Sequence, residues 1–173
     1  MTHSYAIIPE QPEHSNAIEF VLDEAFGLDR LTKTSYRLRE GSMAADGLSY
    51  VAQTDDMLVG TVQFWPIVIG GNHSALLLGP LAVLPARQGE GIGLGLIAKG
   101  MQEAKARDHA LVVLVGDEPY YAKAGFKRFA NDTVSMPGPY DPQRLLHAEL
   151  KEDAALGAAG LILPTHRVSV SVF

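Results

Sequence analysis

The stretch that decides the fold is RQGEGIGLG, from Arg87 to Gly95. It sets four glycines within nine residues at the head of a segment that otherwise favours a helix. Glycine is among the poorest helix formers, so bare backbone here must serve something other than helix propensity. Upstream, Leu76 to Val83 has strand character; downstream, a helical pattern continues to about Arg107 and is followed by ALVVLV, Ala110 to Val115. A strand apolar on both faces after a helix implies a buried parallel neighbour, hence one βαβ unit. A strand that turns through glycines into a helix forms an anion site: unpaired N–H groups converge there and the helix dipole favours negative charge.

The pattern extends outward in both directions. Tyr5 to Pro9 is read as a short strand, and Ala17, Ile18, Val21, Leu22, Ala25 and Phe26 recur at helical spacing until Gly27. Thr34 to Glu40 suits a second short helix. SYVAQT (49–54), MLVGTVQFW (57–65), IVI (67–69) and SALLL (74–78) are β-rich runs. Asp55-Asp56 and Gly70-Gly71-Asn72 punctuate them, which predicts hairpins and antiparallel strands. Gly79-Pro80 falls inside what should be a central strand, where proline removes a ladder donor, so a bulge or splay is expected. Beyond the βαβ unit, Pro119 to Ala124 suits one or two helical turns and Phe126 to Phe129 a short strand. Asp141-Pro142 is read as the start of a helix to about Ala155, and THRVSVSVF (165–173) as a final strand. With no repeat or linker, residues 1–173 are read as a single mixed α/β domain, mostly antiparallel with one βαβ unit.

Composition narrows the function. Hydrophobic residues make up 47% of the 173-residue chain and charged residues 20%, enough for a proper core. The formal net charge is −6 and the basic residues are scattered, which argues against nucleic acid as a partner. No cysteine occurs, so disulfides, thiolate metal sites and cysteine nucleophiles are excluded. The six histidines lack ligand spacing, and no metal is expected. No apolar run approaches the ~20 residues of a membrane helix. A soluble, cytoplasmic protein without a membrane role is the expectation.

Two phosphate-binding signatures can be tested directly. A P-loop needs Gly-Lys-Ser/Thr, which is absent. Gly93-Leu94-Gly95-Leu96-Ile97-Ala98 does match the dinucleotide fingerprint, with Asp117 where a ribose-binding acid would sit. That turn should follow its strand at once, yet Pro85 to Gly89 intervenes, and a second mononucleotide-binding half is missing. The segment instead resembles the GNAT superfamily of acetyl-CoA-dependent N-acetyltransferases. Leu81-Ala82-Val83-Leu84-Pro85 leads into Gln88-Gly89-Glu90-Gly91-Ile92-Gly93, similar to that family's Arg/Gln-x-x-Gly-x-Gly/Ala signature. Its second motif, an aromatic four residues before Gly-Phe, is matched by Tyr121 to Phe126. GDEPYYAKAGF (116–126) looks like a bacterial subgroup of the family, and the strong resemblance spans roughly Leu76 to Phe129.

The resemblance implies a GNAT-like fold with splayed central strands and acetyl-CoA as cosubstrate. Leu81, Ala82 and Val83 would offer backbone groups to pantetheine. The loop of Gln88, Gly89, Glu90, Gly91, Ile92, Gly93 and Leu94 would hold the pyrophosphate. Tyr121 would be the general acid for the departing thiolate, with Tyr120 beside it in the cofactor-binding set. Arg87 is the favoured partner for CoA phosphates, ahead of Lys123, Lys127 and Arg128. No base stands out: the strand from Ser74 to Val83 has no carboxylate, and Glu24, Asp55 and Asp56 are the candidates left, although such acids are more often solvated surface charges. Trp65 beside Pro66 suits either the core or an acceptor pocket. The expected reaction is direct acetyl transfer to a primary amine of a small molecule or peptide. A silent acyl-CoA-binding module fits the same residues, and acetylation of an amine panel separates the two. The alternating tail, Val168 to Phe173, suits pairing in a homodimer.

Overall fold

A computed structural model describes residues 4–130 and 132–165. The chain begins with β1 (Ala6–Pro9), α1 (Ser15–Phe26) and the short α2 (Thr34–Arg39). Strands β2 (Ser49–Gln53), β3 (Leu58–Ile69) and β4 (His73–Val83) form an antiparallel meander with β1. Helix α3 (Ile92–Ala106) then crosses over to β5 (Leu111–Val115), which pairs parallel with β4. The expected βαβ unit is thus formed. The remaining elements are α4 (Glu118–Tyr121), β6 (Lys127–Arg128), β7 (Val134–Ser135), β8 (Leu145–Glu149) and β9 (Gly160–Pro164). The sheet order is β1-β2-β3-β4-β5-β8-β6; β9 pairs with the far end of β3, and the short β7 pairs parallel with β9.

Alternation along the central strands divides the core into two layers. Leu76, Leu78, Val112 and Leu114 face α1 and α3, packing with Ile18, Val21, Leu96 and Ile97. Leu77, Leu111 and Val113 face the other way, toward Leu38, Ile69, Leu145 and Ile162. Both faces of β4 and β5 are covered, which is why these strands read as continuous apolar runs.

Gly79-Pro80, joined by a cis peptide, marks the break in the sheet. Toward β3 the register jumps from Phe64↔Leu78 to Val62↔Leu81, so Gly79 and Pro80 bulge opposite Gln63. Toward β5 the ladder holds only at Leu76↔Val112 and Leu77↔Val113. Past Leu77 the two strands part, and the β4 edge from Leu78 to Val83 has no strand partner among the described residues.

Two expectations differ from the structure, and a third falls outside the described residues. MLVGTVQFW and IVI are one strand, β3, running through Pro66. Pro66 lies on an edge stretch between the β2 and β9 pairings, where a missing N–H breaks no ladder. The helix expected from Asp141 to Ala155 is instead a single 3₁₀ turn, Pro142–Arg144, capped by the Asp141 side chain, followed by β8. Leu145, Leu146, His147 and Ala148 are buried in succession between β5 and β6; such a run fits a central strand, and periodicity alone cannot tell it from a buried helix. Finally, β9 ends at Pro164, ahead of the expected tail strand, whose residues 166–173 lie outside the described residues.

Candidate active site

The parting of β4 from β5 opens a cleft of about 920 Å³. Its floor is the free edge of β4, and Leu81, Ala82 and Val83 line it. At the end of β4 a 3₁₀ turn, Pro85–Arg87, is followed by Gln88, whose side chain donates to the Val83 carbonyl at 3.2 Å and ties the loop to the strand. Gly89 and Gly91 adopt φ of +87° and +85°, and α3 starts directly after Gly91. A Cβ at either position would project into open space within 4 Å. Left-handed backbone with nothing above it lets the first N–H groups of the helix face the cleft without a side chain in front.

The proposed phosphate loop therefore coincides with one end of the cleft. Arg87, Gln88, Gly89, Gly91, Ile92, Gly93 and Leu94 line it; Glu90 does not, and its carboxylate pairs with Arg87 Nε at 2.6 Å. The four glycines divide by role. Gly89 and Gly91 are open, Gly93 makes room for the Tyr120 hydroxyl, and Gly95 lies against Ile7 and Tyr5 of the first strand region. The dinucleotide-fingerprint match, Gly93 to Ala98, falls inside α3 rather than in a strand-to-helix turn, so its glycines cannot serve that purpose.

Across the cleft, Asp117 begins α4 and brings Tyr120 and Tyr121 to the lining. The rings of Tyr120 and Tyr121 meet edge-on at 5.0 Å, and Tyr121 meets Phe126 at 6.1 Å. The second motif is thus a packing unit: Gly125 ends the turn at φ +89° and Phe126 enters the core beneath Tyr121. Burial pushes the Tyr121 hydroxyl up to about 12, with Tyr120 and Asp117 adding to the rise, so the phenol is protonated at neutral pH.

Of the basic candidates, Arg87 and Lys123 reach the cleft, as does Arg144, which pairs with Asp117 at 3.3 Å. Lys127 and Arg128 are not part of its lining, and neither are Glu24, Asp55 and Asp56. Asp55 lines a separate depression beside Tyr5 and Thr54. Sequence reasoning missed the residues at the opposite end, among them Tyr36, Arg39 and Tyr140. Trp65 is not in the lining but underlies it, its ring 5.9 Å from the Arg39 guanidinium. No group of His, Asp and Glu among the described residues could hold a metal ion, and no described helix is long and apolar enough to cross a membrane.

Comparison with known proteins agrees with this geometry. Residues 45–128 match the family model described as an acetyltransferase (GNAT) domain. The Escherichia coli K12 protein named uncharacterized N-acetyltransferase YhbS is 28% identical over 155 residues, covering 88% of this chain and 92% of its own. The crystal structure of E. coli YhbS in complex with CoA superposes with a TM-score of 0.81 at 26% identity, covering 98% of this chain and 94% of that one. A GNAT family acetyltransferase from Brucella melitensis, solved with acetyl-CoA, is 32% identical over 84% of this chain and 96% of its own, with a TM-score of 0.62. With its open strand edge, glycine loop and tyrosine facing one another, the chain belongs to the GNAT family of N-acetyltransferases.

Proposed function

We propose that the chain acts as one domain that binds acetyl-CoA in this cleft and transfers its acetyl group directly to a primary amine. The observation that carries the reading is the unpaired β4 edge from Leu78 to Val83 leading into the open backbone at Gly89 and Gly91. An extended pantetheine arm would add to that edge as a strand does, and a diphosphate would meet the N–H groups at the start of α3. Arg87, held by Glu90, and Lys123 both line the cleft.

In the transfer step a neutral amine attacks the thioester carbonyl carbon. A C–N bond forms, the C–S bond breaks, and the sulfur leaves with the electron pair. Two protons move: one leaves the nitrogen, and one ends on the sulfur to give free CoA thiol. Tyr121 supports the departure by donating its O–H to the sulfur. A phenol near 12 is a weaker acid than a thiol of about 8.5 by roughly three orders of magnitude. Tyr121 therefore stabilises the developing thiolate mainly as a hydrogen-bond donor, and the proton that finally rests on sulfur derives from the amine through Tyr121 or solvent. The cytoplasmic setting, and pairing of two copies through Val168 to Phe173, rest on the sequence alone.

The test is titration of CoA by calorimetry, followed by a thiol-release assay with acetyl-CoA and a panel of amines, amino acids, polyamines and peptides. Binding together with amine-dependent thiol release is the expected result. Absence of CoA binding overturns the reading, and binding without release for any amine leaves a silent acyl-CoA-binding module in its place.

A further inference from the structure

The end of the cleft away from the glycine loop holds a cation with no carboxylate partner among the described residues. Arg39, at the last turn of α2, is 8% exposed, and its guanidinium lies 4.0 Å from the Tyr36 ring centroid and 5.9 Å from that of Trp65. It lines the cleft beside the break in β4: a methyl added at Gly79 would come within 3.3 Å of its Nη1. Among the described residues its Nη2 is buried without a hydrogen-bond partner, as are the neighbouring Tyr36 hydroxyl and Trp65 Nε1.

Arg30 gives the internal comparison. It is as deeply buried, at 3% exposure, but it holds Glu19 at 2.6 Å and Asp23 at 2.7 Å. Among the described residues Arg39 has no such pair. The carboxylates that line the cleft are engaged elsewhere, Asp117 with Arg144 and Asp141 with the Gln143 amide. Burial lowers the Arg39 guanidinium only to about 10, so it is cationic at neutral pH. A buried, charged fork with an unmet donor matches a planar carboxylate better than any neutral group.

We propose that Arg39 anchors a carboxylate on the acceptor, so that the protein acetylates amino carboxylates in preference to simple amines. This rests on the reading of the cleft as an acetyl-CoA-dependent transfer site. The aromatic rings of Tyr36 and Trp65 hold the guanidinium in place and leave its edge for the acceptor, with Lys33 at the same end of the cleft. A carboxylate in the donor acyl group would satisfy Arg39 by the same chemistry, and the experiment separates the two sources.

The experiment compares wild type, Arg39→Met and Arg39→Lys in thiol release with acetyl-CoA. The acceptors are ω-amino carboxylates from glycine to 6-aminohexanoate, each set against its primary amide. Wild type should favour at least one carboxylate over its amide by about tenfold or more in kcat/KM. Arg39→Met should lower that carboxylate's kcat/KM by about 30- to 100-fold and the amide's by about tenfold less than that, and Arg39→Lys should recover part of the loss on the carboxylate. CoA affinity by calorimetry should be the same in all three proteins, and Arg39→Met should melt no lower than wild type because it removes a buried unpaired charge. Equal use of acid and amide by wild type, no turnover of any carboxylate, or an equal loss on both in Arg39→Met overturns the assignment. If Arg39→Met instead loses transfer from succinyl-CoA to an amide acceptor, the carboxylate belongs to the acyl group and the acceptor assignment falls. Failure of wild type to bind CoA would defeat the underlying transferase reading, whereas CoA binding and amide turnover without carboxylate preference defeat only the role of Arg39.

Discussion

The ring of Tyr121 fills the space into which a side chain on Gly116 would project. Gly116 follows β5, and its N–H donates to the Arg144 carbonyl at 2.8 Å, so the backbone beneath the ring is fixed on one side. The ring is fixed on the other by Tyr120 and Phe126. The position of the hydroxyl thus depends on a residue that has no side chain of its own. Gly116→Ala should push the ring outward and lower kcat by about tenfold to 100-fold while CoA affinity holds. Parallel calorimetry and thiol release on the variant check this, and an unchanged kcat would show that the ring tolerates displacement.

Removing the hydroxyl itself is the sharper substitution. Tyr121→Phe keeps the ring packing and should reduce kcat by about 100-fold or more, with little change in the melting temperature. Because burial raises Tyr121 to about 12, its proton stays on throughout the neutral range. The rate of wild type should therefore rise with pH as the acceptor amine loses its proton, without a falling limb from Tyr121 up to about pH 10. A falling limb between pH 7 and 9 that vanishes in Tyr121→Phe would contradict this account.

The glycines of the loop should separate by position. Gly91→Val sets a β-branched side chain in the left-handed region and over the N–H groups at the start of α3, and CoA affinity should fall by about 10- to 100-fold. Gly95→Ala, whose Cβ would sit 3.2 Å from Ile7 Cδ1, should change stability slightly and affinity not at all. Calorimetric titration of both variants decides it: equal affinities would remove the loop from phosphate binding.

Acid sensitivity should trace in part to His147. It is buried in β8 and stacked on Phe129 at 4.3 Å, and burial, aided by Lys127, holds its imidazole below the ordinary 6.5. The folded chain takes up that proton less readily than the unfolded chain, so this contribution is complete above pH 6.5 and is lost as pH falls toward the folded-state value. Denaturant unfolding of wild type between pH 7.5 and 5 should show a loss that His147→Gln reduces. Parallel pH profiles for the two proteins would assign the sensitivity elsewhere.

Much of the site is legible in local sequence because its chemistry is local. The loop from Gln88 to Leu94 needs glycine at fixed spacing, and the Tyr121 to Phe126 unit needs an aromatic, a left-handed turn and a core anchor within six residues. The Gly79-Pro80 break is likewise written in a dipeptide that a regular ladder cannot absorb. The helix read into Asp141 to Ala155 failed for the opposite reason. LLHA becomes a strand because β5 offers it a free edge, and that edge is supplied by residues about thirty or more positions away.

The sequence by itself determined the βαβ unit, the open glycine loop and the tyrosine in the lining of the same cleft, since each depends on backbone constraints carried by neighbouring residues. Only the tertiary structure decided which side chains share the far end of the cleft. In the sequence Arg39 is one more cation on a short helix, and Trp65 suits either the core or an acceptor pocket, with nothing to link the two. They come together only when the packing of α2 against the sheet removes water from the guanidinium and leaves it, beside Gly79, with an unmet donor and no carboxylate partner among the described residues. Charge in a sequence is counted residue by residue, but its cost depends on burial and on partners, and those are fixed only by the fold.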